Sequence, residues 1–233
     1  MNYNHFELLQ IQAEALYVYN AENRMVRINE SDPNDPAPRF FLARSMKGNL
    51  CSTRYDLPVN LTLELERLAA AEPVVDDLRE PPYYAENYKE LLQQHAPIHN
   101  IEGGPAYYLP ELDPPSSAVR ITPENMTLLK AHYPYTLSTF EECSPIVVMV
   151  VDGTAVSACF TARNTARVAE AGVYTVDTYR GRGYALETVR GWAGAIRALG
   201  KLPFYSTSWS NTASQAVATK LGAVQYGADF NIT

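Results

Sequence analysis

Residues 179–185 read Tyr-Arg-Gly-Arg-Gly-Tyr-Ala, a turn whose residue types suit anion binding. Glycines let the backbone come close to a ligand, and the first N–H groups of a following helix have no intrahelical acceptor. The flanks supply the rest. Val168–Val176 has the composition of a strand, and Leu186, Val189, Trp192, Ala193, Ile196 and Leu199 recur at the three/four spacing of a buried helical stripe. Strand, Arg/Gly turn and helix together make an anion site, best suited to a pyrophosphate. A dinucleotide fingerprint is excluded because no third glycine opens the helix after Gly183. A nucleoside-triphosphate loop is excluded because no Gly-Lys-Ser/Thr ending is present.

The run also has the form Arg/Gln-x-x-Gly-x-Gly/Ala, carried by Arg180, Gly183 and Ala185. A second motif follows: a strand-like Leu202–Trp209, then Asn211, Ser214 and the ending Lys220-Leu221-Gly222. That helix has a Ser/Asn start and a glycine stop. On these two motifs the chain resembles the GNAT family of acyl-CoA-dependent N-acetyltransferases over residues 119–233. The resemblance implies a mixed α/β (α+β) GNAT acyl-CoA N-acyltransferase fold with a splayed mixed sheet. It implies acetyl-CoA as acyl donor, direct transfer to an amine in a ternary complex, and no metal. Arg180, Gly181, Arg182, Gly183, Tyr184 and Ala185 would hold the pyrophosphate. Tyr174, Thr175 and Val176 would lie along the pantetheine, mainly through backbone groups, with one N–H polarising the acetyl carbonyl. Asn211 and Ser214 would flank the pantetheine on its other side, although Ser214 and Ala185 are equally small enough to be there for packing.

Proton transfer needs further groups. Glu170 is the only carboxylate in the strand before the turn and is the candidate general base, with a surface or structural carboxylate as the alternative. The family's glutamate usually stands one residue earlier, where this chain has Ala169, and a one-residue shift turns a side chain to the other face unless a bulge intervenes. The family's proton-donating tyrosine, seven residues after the Asn, is replaced by Ala218. Tyr205, Tyr226 and the run Ser206–Trp209 are replacements to weigh against structural roles. Cys159 has no neighbouring His to activate it, which argues against a covalent intermediate. The four histidines show no metal-ligand spacing.

The elements that must position these groups can be read in outline. Val119–Thr122 reads as a short strand, Thr122 to about His132 as a helix, and a second short helix follows Pro134. Ile146–Val151 reads as a buried strand, turned at Asp152-Gly153 into Thr154–Phe160, and Val224–Ile232 reads as the last strand. In the first half, Leu16–Asn20 with Met25–Asn29 and Arg39–Ser45 with Asn49–Tyr55 read as two hairpins. Leu61–Ala71 and Tyr84–His95 read as helices, and Ile98–Tyr108 as a strand interrupted at Gly103-Gly104-Pro105. The expected organisation is an N-terminal α+β domain over 1–109, a Pro/Ser linker over 110–118 and the acetyltransferase domain over 119–233. The first half has three open roles: a lid, a substrate wall or a homodimer surface.

Composition bounds the function. The 233 residues are 46% hydrophobic, enough for a real core. A net charge of −7 argues against nucleic-acid binding. Yet Arg163–Lys201 holds seven Lys/Arg against three Asp/Glu, a local positive excess suited to an anionic cofactor. The three cysteines (Cys51, Cys143, Cys159) form no Cys-x-x-Cys pair, and neither a signal peptide nor a membrane-length apolar run is present. The expectation is a cytoplasmic protein with no membrane partner, acting on a small-molecule or peptide amine.

Overall fold

The computed structural model describes residues 3–30, 32, 34–113 and 115–233, and shows a mixed α+β protein. Pro114, within the expected linker, lies outside the described residues. Two compact units are present: residues up to Tyr107 together with Ser206–Thr212 and Gln225–Thr233, and residues Tyr108–Tyr205 with Ala213–Val224.

The first unit opens with a helix that periodicity did not reveal, α1 (His5–Leu16). Asn4 caps it: its side chain accepts the Glu7 N–H at 2.9 Å while the Glu7 carboxylate accepts the Asn4 N–H at 2.8 Å. The hairpin of β1 (Tyr17–Tyr19) and β2 (Met25–Ile28) follows, then the hairpin of β3 (Phe40–Ser45) and β4 (Gly48–Thr53). Helices α2 (Val59–Ala71) and α3 (Ala85–His95) come next, and then β5 (Ile101–Tyr108). β3 is buried along its whole length, and Phe40, Leu42, Leu65, Tyr88 and Leu92 form the centre of this unit's core. β5 is not interrupted at its glycines. An added Cβ on Gly103 would come within 2.6 Å of the Asp229 carbonyl, and one on Gly104 within 1.7 Å of the Thr207 carbonyl, so both positions serve close backbone approach.

Buried polar groups fix the ends of α3. The Glu72 carboxylate accepts the N–H groups of Tyr83 and Tyr84 and the Tyr88 hydroxyl at 3.0 Å, where the helix has no side-chain cap of its own. Burial and this carboxylate push the Tyr88 phenol up. At the other end the buried Arg39 guanidinium donates to the carbonyls of Leu92, Ala96 and Pro97. Glu72→Ala strands three donors, so its expected cost is about 3 kcal/mol in urea unfolding.

The second unit holds β6 (Val119–Arg120), the short helices α4 (Pro134–Ser138) and α5 (Phe140–Cys143), and strands β7 (Val147–Val151), β8 (Thr154–Asn164) and β9 (Val168–Thr175). It continues with α6 (Tyr184–Ala198), β10 (Leu202–Ser206) and α7 (Thr212–Lys220). The strand order is β10-β9-β8-β7-β6, parallel between β10 and β9 and antiparallel elsewhere. The helix expected over Thr122–His132 contracts to a 3₁₀ turn at Met126–Leu129. The Asn125 side chain accepts the Thr122 N–H and donates to the Arg120 carbonyl, which ties the start of this segment to the end of β6. Leu129, Tyr133, Ile146, Val148 and Ala158 form the core on that face. The last strand, β11 (Val224–Ile232), belongs almost entirely to the first unit, antiparallel to β3.

Candidate active site

The β9–β10 ladder has three rungs, Leu202↔Val168, Pro203↔Ala169 and Phe204↔Glu170. Beyond Glu170, β9 runs on to Thr175 with partners on β8 alone, so the parallel pair splits open. The Val176 N–H bonds the Val156 carbonyl. Strand alternation therefore turns the backbone groups of Thr175 and Val173 away from β8, toward the gap that β10 leaves. Ser157 Oγ and Thr175 Oγ1 lie 2.7 Å apart across the β8–β9 pair.

The predicted anion turn follows at once. A 3₁₀ turn (Asp177–Tyr179) leads to Gly181 at φ +76° and Gly183 at φ +79°. A Cβ added to either glycine would meet no protein atom within 4 Å. Here glycine is selected by backbone conformation, not by the packing of neighbouring protein atoms. Gly183 is the N-cap of α6 and offers no side-chain bond to the helix start, which leaves its first amides for a ligand. Arg180 pairs with Asp177 at 2.7 Å, and Arg182 donates to the Thr178 carbonyl and lies over the Tyr179 ring at 5.1 Å. These exposed contacts hold little energy and are readily exchanged for phosphate.

α6 is held where the turn needs it. Trp192 is buried and donates from Nε1 to Thr161 Oγ1 at 3.2 Å. In the first turns, Glu187 accepts from the Ser117 N–H at 3.0 Å and from Arg190 at 2.9 Å, and Ser116 donates to the Glu187 carbonyl. Burial works against the Glu187 charge, but the Ser117 N–H, Arg190 and the two serine hydroxyls outweigh it and hold the carboxyl below its ordinary value. Gly191 leaves the room that Ser116 occupies, since a Cβ there would sit 3.2 Å from Ser116 Oγ.

Glu170 stands on the last rung before the strands part, 2% exposed and in register with Arg163 beside a bulge in β8. Alternation gives its side chain the face of Gly172 and Tyr174. On that face Tyr133, whose phenol burial pushes up, donates to the Tyr174 carbonyl at 3.0 Å, and the two rings meet edge-on at 5.9 Å. Ser214 lies in the first turn of α7, 2.7 Å from the Tyr205 hydroxyl. Asn211 falls in the first unit, where its N–H bonds Ser208. Ala218 is fully buried, and Cys159 is fully buried with its thiol pushed well up by burial. Among the described residues no cluster of three or more His, Cys, Asp or Glu is placed to hold a metal, and no helix is long and apolar enough to cross a membrane. The Tyr133, Ser157 and Tyr205 contacts escaped sequence reasoning because each joins segments with no shared periodicity.

Residues 116–224 match the acetyltransferase (GNAT) domain family, and the chain resembles that family over this span. Among solved structures, the GCN5-related N-acetyltransferase-like protein of Streptococcus suis is similar at 16% identity with a TM-score of 0.51, over 99% of this chain and 100% of that one. A GNAT-family acetyltransferase of Colwellia psychrerythraea is similar at 12% identity with a TM-score of 0.48, over 100% and 98%. One from Novosphingobium aromaticivorans is similar at 19% identity with a TM-score of 0.47, over 58% and 66%. At 16% identity the likeness to the Streptococcus suis protein is one of fold. No curated protein matches the chain.

Proposed function

We propose that the protein transfers the acetyl group of acetyl-CoA to an amine, directly and without metal. The observation that carries this reading is the parting of β9 from β10 after Glu170, which leaves strand amides facing a gap that ends at the Gly181/Gly183 turn. In this reading the turn, the α6 start and the Arg180 and Arg182 side chains receive the pyrophosphate. Of the expected run Tyr174, Thr175 and Val176, Thr175 offers its backbone to the pantetheine, whereas the backbones of Tyr174 and Val176 are turned to β8. An N–H of Val173 or Thr175 polarises the acetyl carbonyl, and that carbonyl gains negative charge as the amine attacks. Glu170, at the head of the gap, takes the amine proton. Asn211 and Ser214 keep the pantetheine role that the resemblance gives them. The acceptor is a small-molecule or peptide amine, and the setting is cytoplasmic.

A second reading, an acyl-CoA-binding protein without turnover, is favoured by one observation: Ala218 offers no proton donor on α7. Calorimetric titration with acetyl-CoA tests both. Micromolar binding is expected, weakened about tenfold in Arg182→Ala as one charge-assisted phosphate contact is lost. Absence of binding to the unaltered protein would reject both readings. Thiol release across a panel of primary amines then separates them, since tight binding with no acceptor would leave only the second.

A further inference from the structure

Acetyl transfer leaves one proton to be supplied, the one that the departing thiolate collects. We propose that the Ser214 hydroxyl supplies it, backed by the phenol of Tyr205; this rests on the acetyltransferase reading above. Tyr205 is the first residue of β10 past the last rung shared with β9, so it stands where the two strands part. It is 3% exposed, and its hydroxyl lies 2.7 Å from Ser214 Oγ and 3.5 Å from the Ser214 carbonyl oxygen. A serine hydroxyl can accept from a phenol and donate its own hydrogen onward, which makes the pair a two-step proton path. Ser214 is half-buried, so its outward side remains accessible to a ligand.

Position on the helix strengthens the assignment. Ser214 and Ala218 are four residues apart and share one face of α7. Helical side chains lean toward the helix N-terminus, so a phenol carried at position 218 would lie over the turn that holds Ser214. Here a phenol reaches that turn from the neighbouring strand. Ala218 is fully buried and brings no donor.

The step balances. The amine nitrogen bonds to the carbonyl carbon, and the carbon–sulfur bond breaks with its electron pair leaving on sulfur. Sulfur takes the Ser214 hydroxyl hydrogen, and the Ser214 oxygen takes the phenolic hydrogen of Tyr205. The proton that Glu170 accepted from the amine returns to the Tyr205 phenolate through solvent. The products are an N-acetyl amine and free CoA thiol. Ser214 is the catalytic residue here, and Tyr205 is a positioning residue that acts through it.

The test uses the full chain with Tyr205→Phe, which keeps the ring, and Ser214→Ala. Thiol release is measured with the best acceptor from a primary-amine panel, acetyl-CoA affinity by calorimetry, and ionisation of bound CoA from thiolate absorbance during a pH titration. Both variants are expected to lose about a hundred-fold in kcat, the usual scale for a lost proton donor, and Tyr205→Phe, which leaves the pantetheine side of the pair intact, is expected to keep acetyl-CoA affinity. Bound CoA should ionise at higher pH in both variants. Wild-type turnover and unchanged CoA ionisation in Tyr205→Phe would overturn the proposal while the acetyltransferase reading stands. Parallel loss of affinity and turnover in Tyr205→Phe would also overturn it, as the signature of a structural contact. A wild-type protein that releases no thiol with any amine overturns the acetyltransferase reading and this one together.

Discussion

Gly183→Val is expected to give a folded protein that binds acetyl-CoA at least about a hundred-fold more weakly, a loss of about 2.7 kcal/mol in binding. Gly183 sits at φ +79°, so any side chain there strains the backbone, by about 1–2 kcal/mol. The Cβ itself adds no clash to that strain, because it meets no protein atom within 4 Å outside the neighbouring residues. The valine would instead occupy space from which a phosphate reaches the first amides of α6 and would block their approach. A matched control exists in the same unit. Gly153, in the turn between β7 and β8, has φ +74° and equally open surroundings. Gly153→Val should therefore carry the same strain and leave affinity intact. Calorimetry with acetyl-CoA, run beside thermal melting of both variants, checks the pair. Equal affinities in the two would remove the turn from the binding site.

The control also shows what local sequence can reveal. Asp152-Gly153 and the turn at 179–185 are legible because a positive φ selects glycine wherever it occurs, and α6 is legible because only one of its faces is buried. α1 fails that second condition. Leu8, Leu9, Ile11, Gln12, Ala13, Ala15 and Leu16 are all buried, so the polar face that periodicity needs is nearly gone, and only the Asn4–Glu7 cap marks its start. The glycines of β5 read as a break because sequence shows the missing side chains but not the backbones that approach them. The site divides along the same line. The anion turn is local chemistry and stands out. The split of β9 from β10 depends on where a ladder stops, and the Tyr205–Ser214 contact depends on a strand and a helix meeting; neither leaves a period in the chain. The return of residues 225–233 to the first unit is hidden for that reason too, since β11 reads as a strand wherever its partner lies.

Glu170→Gln is expected to lower kcat by about 10²- to 10³-fold while leaving acetyl-CoA affinity unchanged, the scale of a lost general base. The argument is positional. Glu170 is the only carboxylate of β9, it occupies the last rung before the gap, and its face is that of Gly172 and Tyr174. Glutamine keeps the volume and most of the hydrogen bonding of glutamate but cannot take a proton, so the buried position stays filled and the chemistry alone is removed. The pairing of stability with turnover carries the decisive information: a general base predicts an unchanged melting temperature and affinity with a much reduced kcat. A purely structural Glu170 predicts the reverse: a lowered melting temperature and near-normal kcat. That result would transfer the proton-accepting role to water and leave the amides of Val173 and Thr175, with the turn at Gly181 and Gly183, as the whole of what β9 contributes.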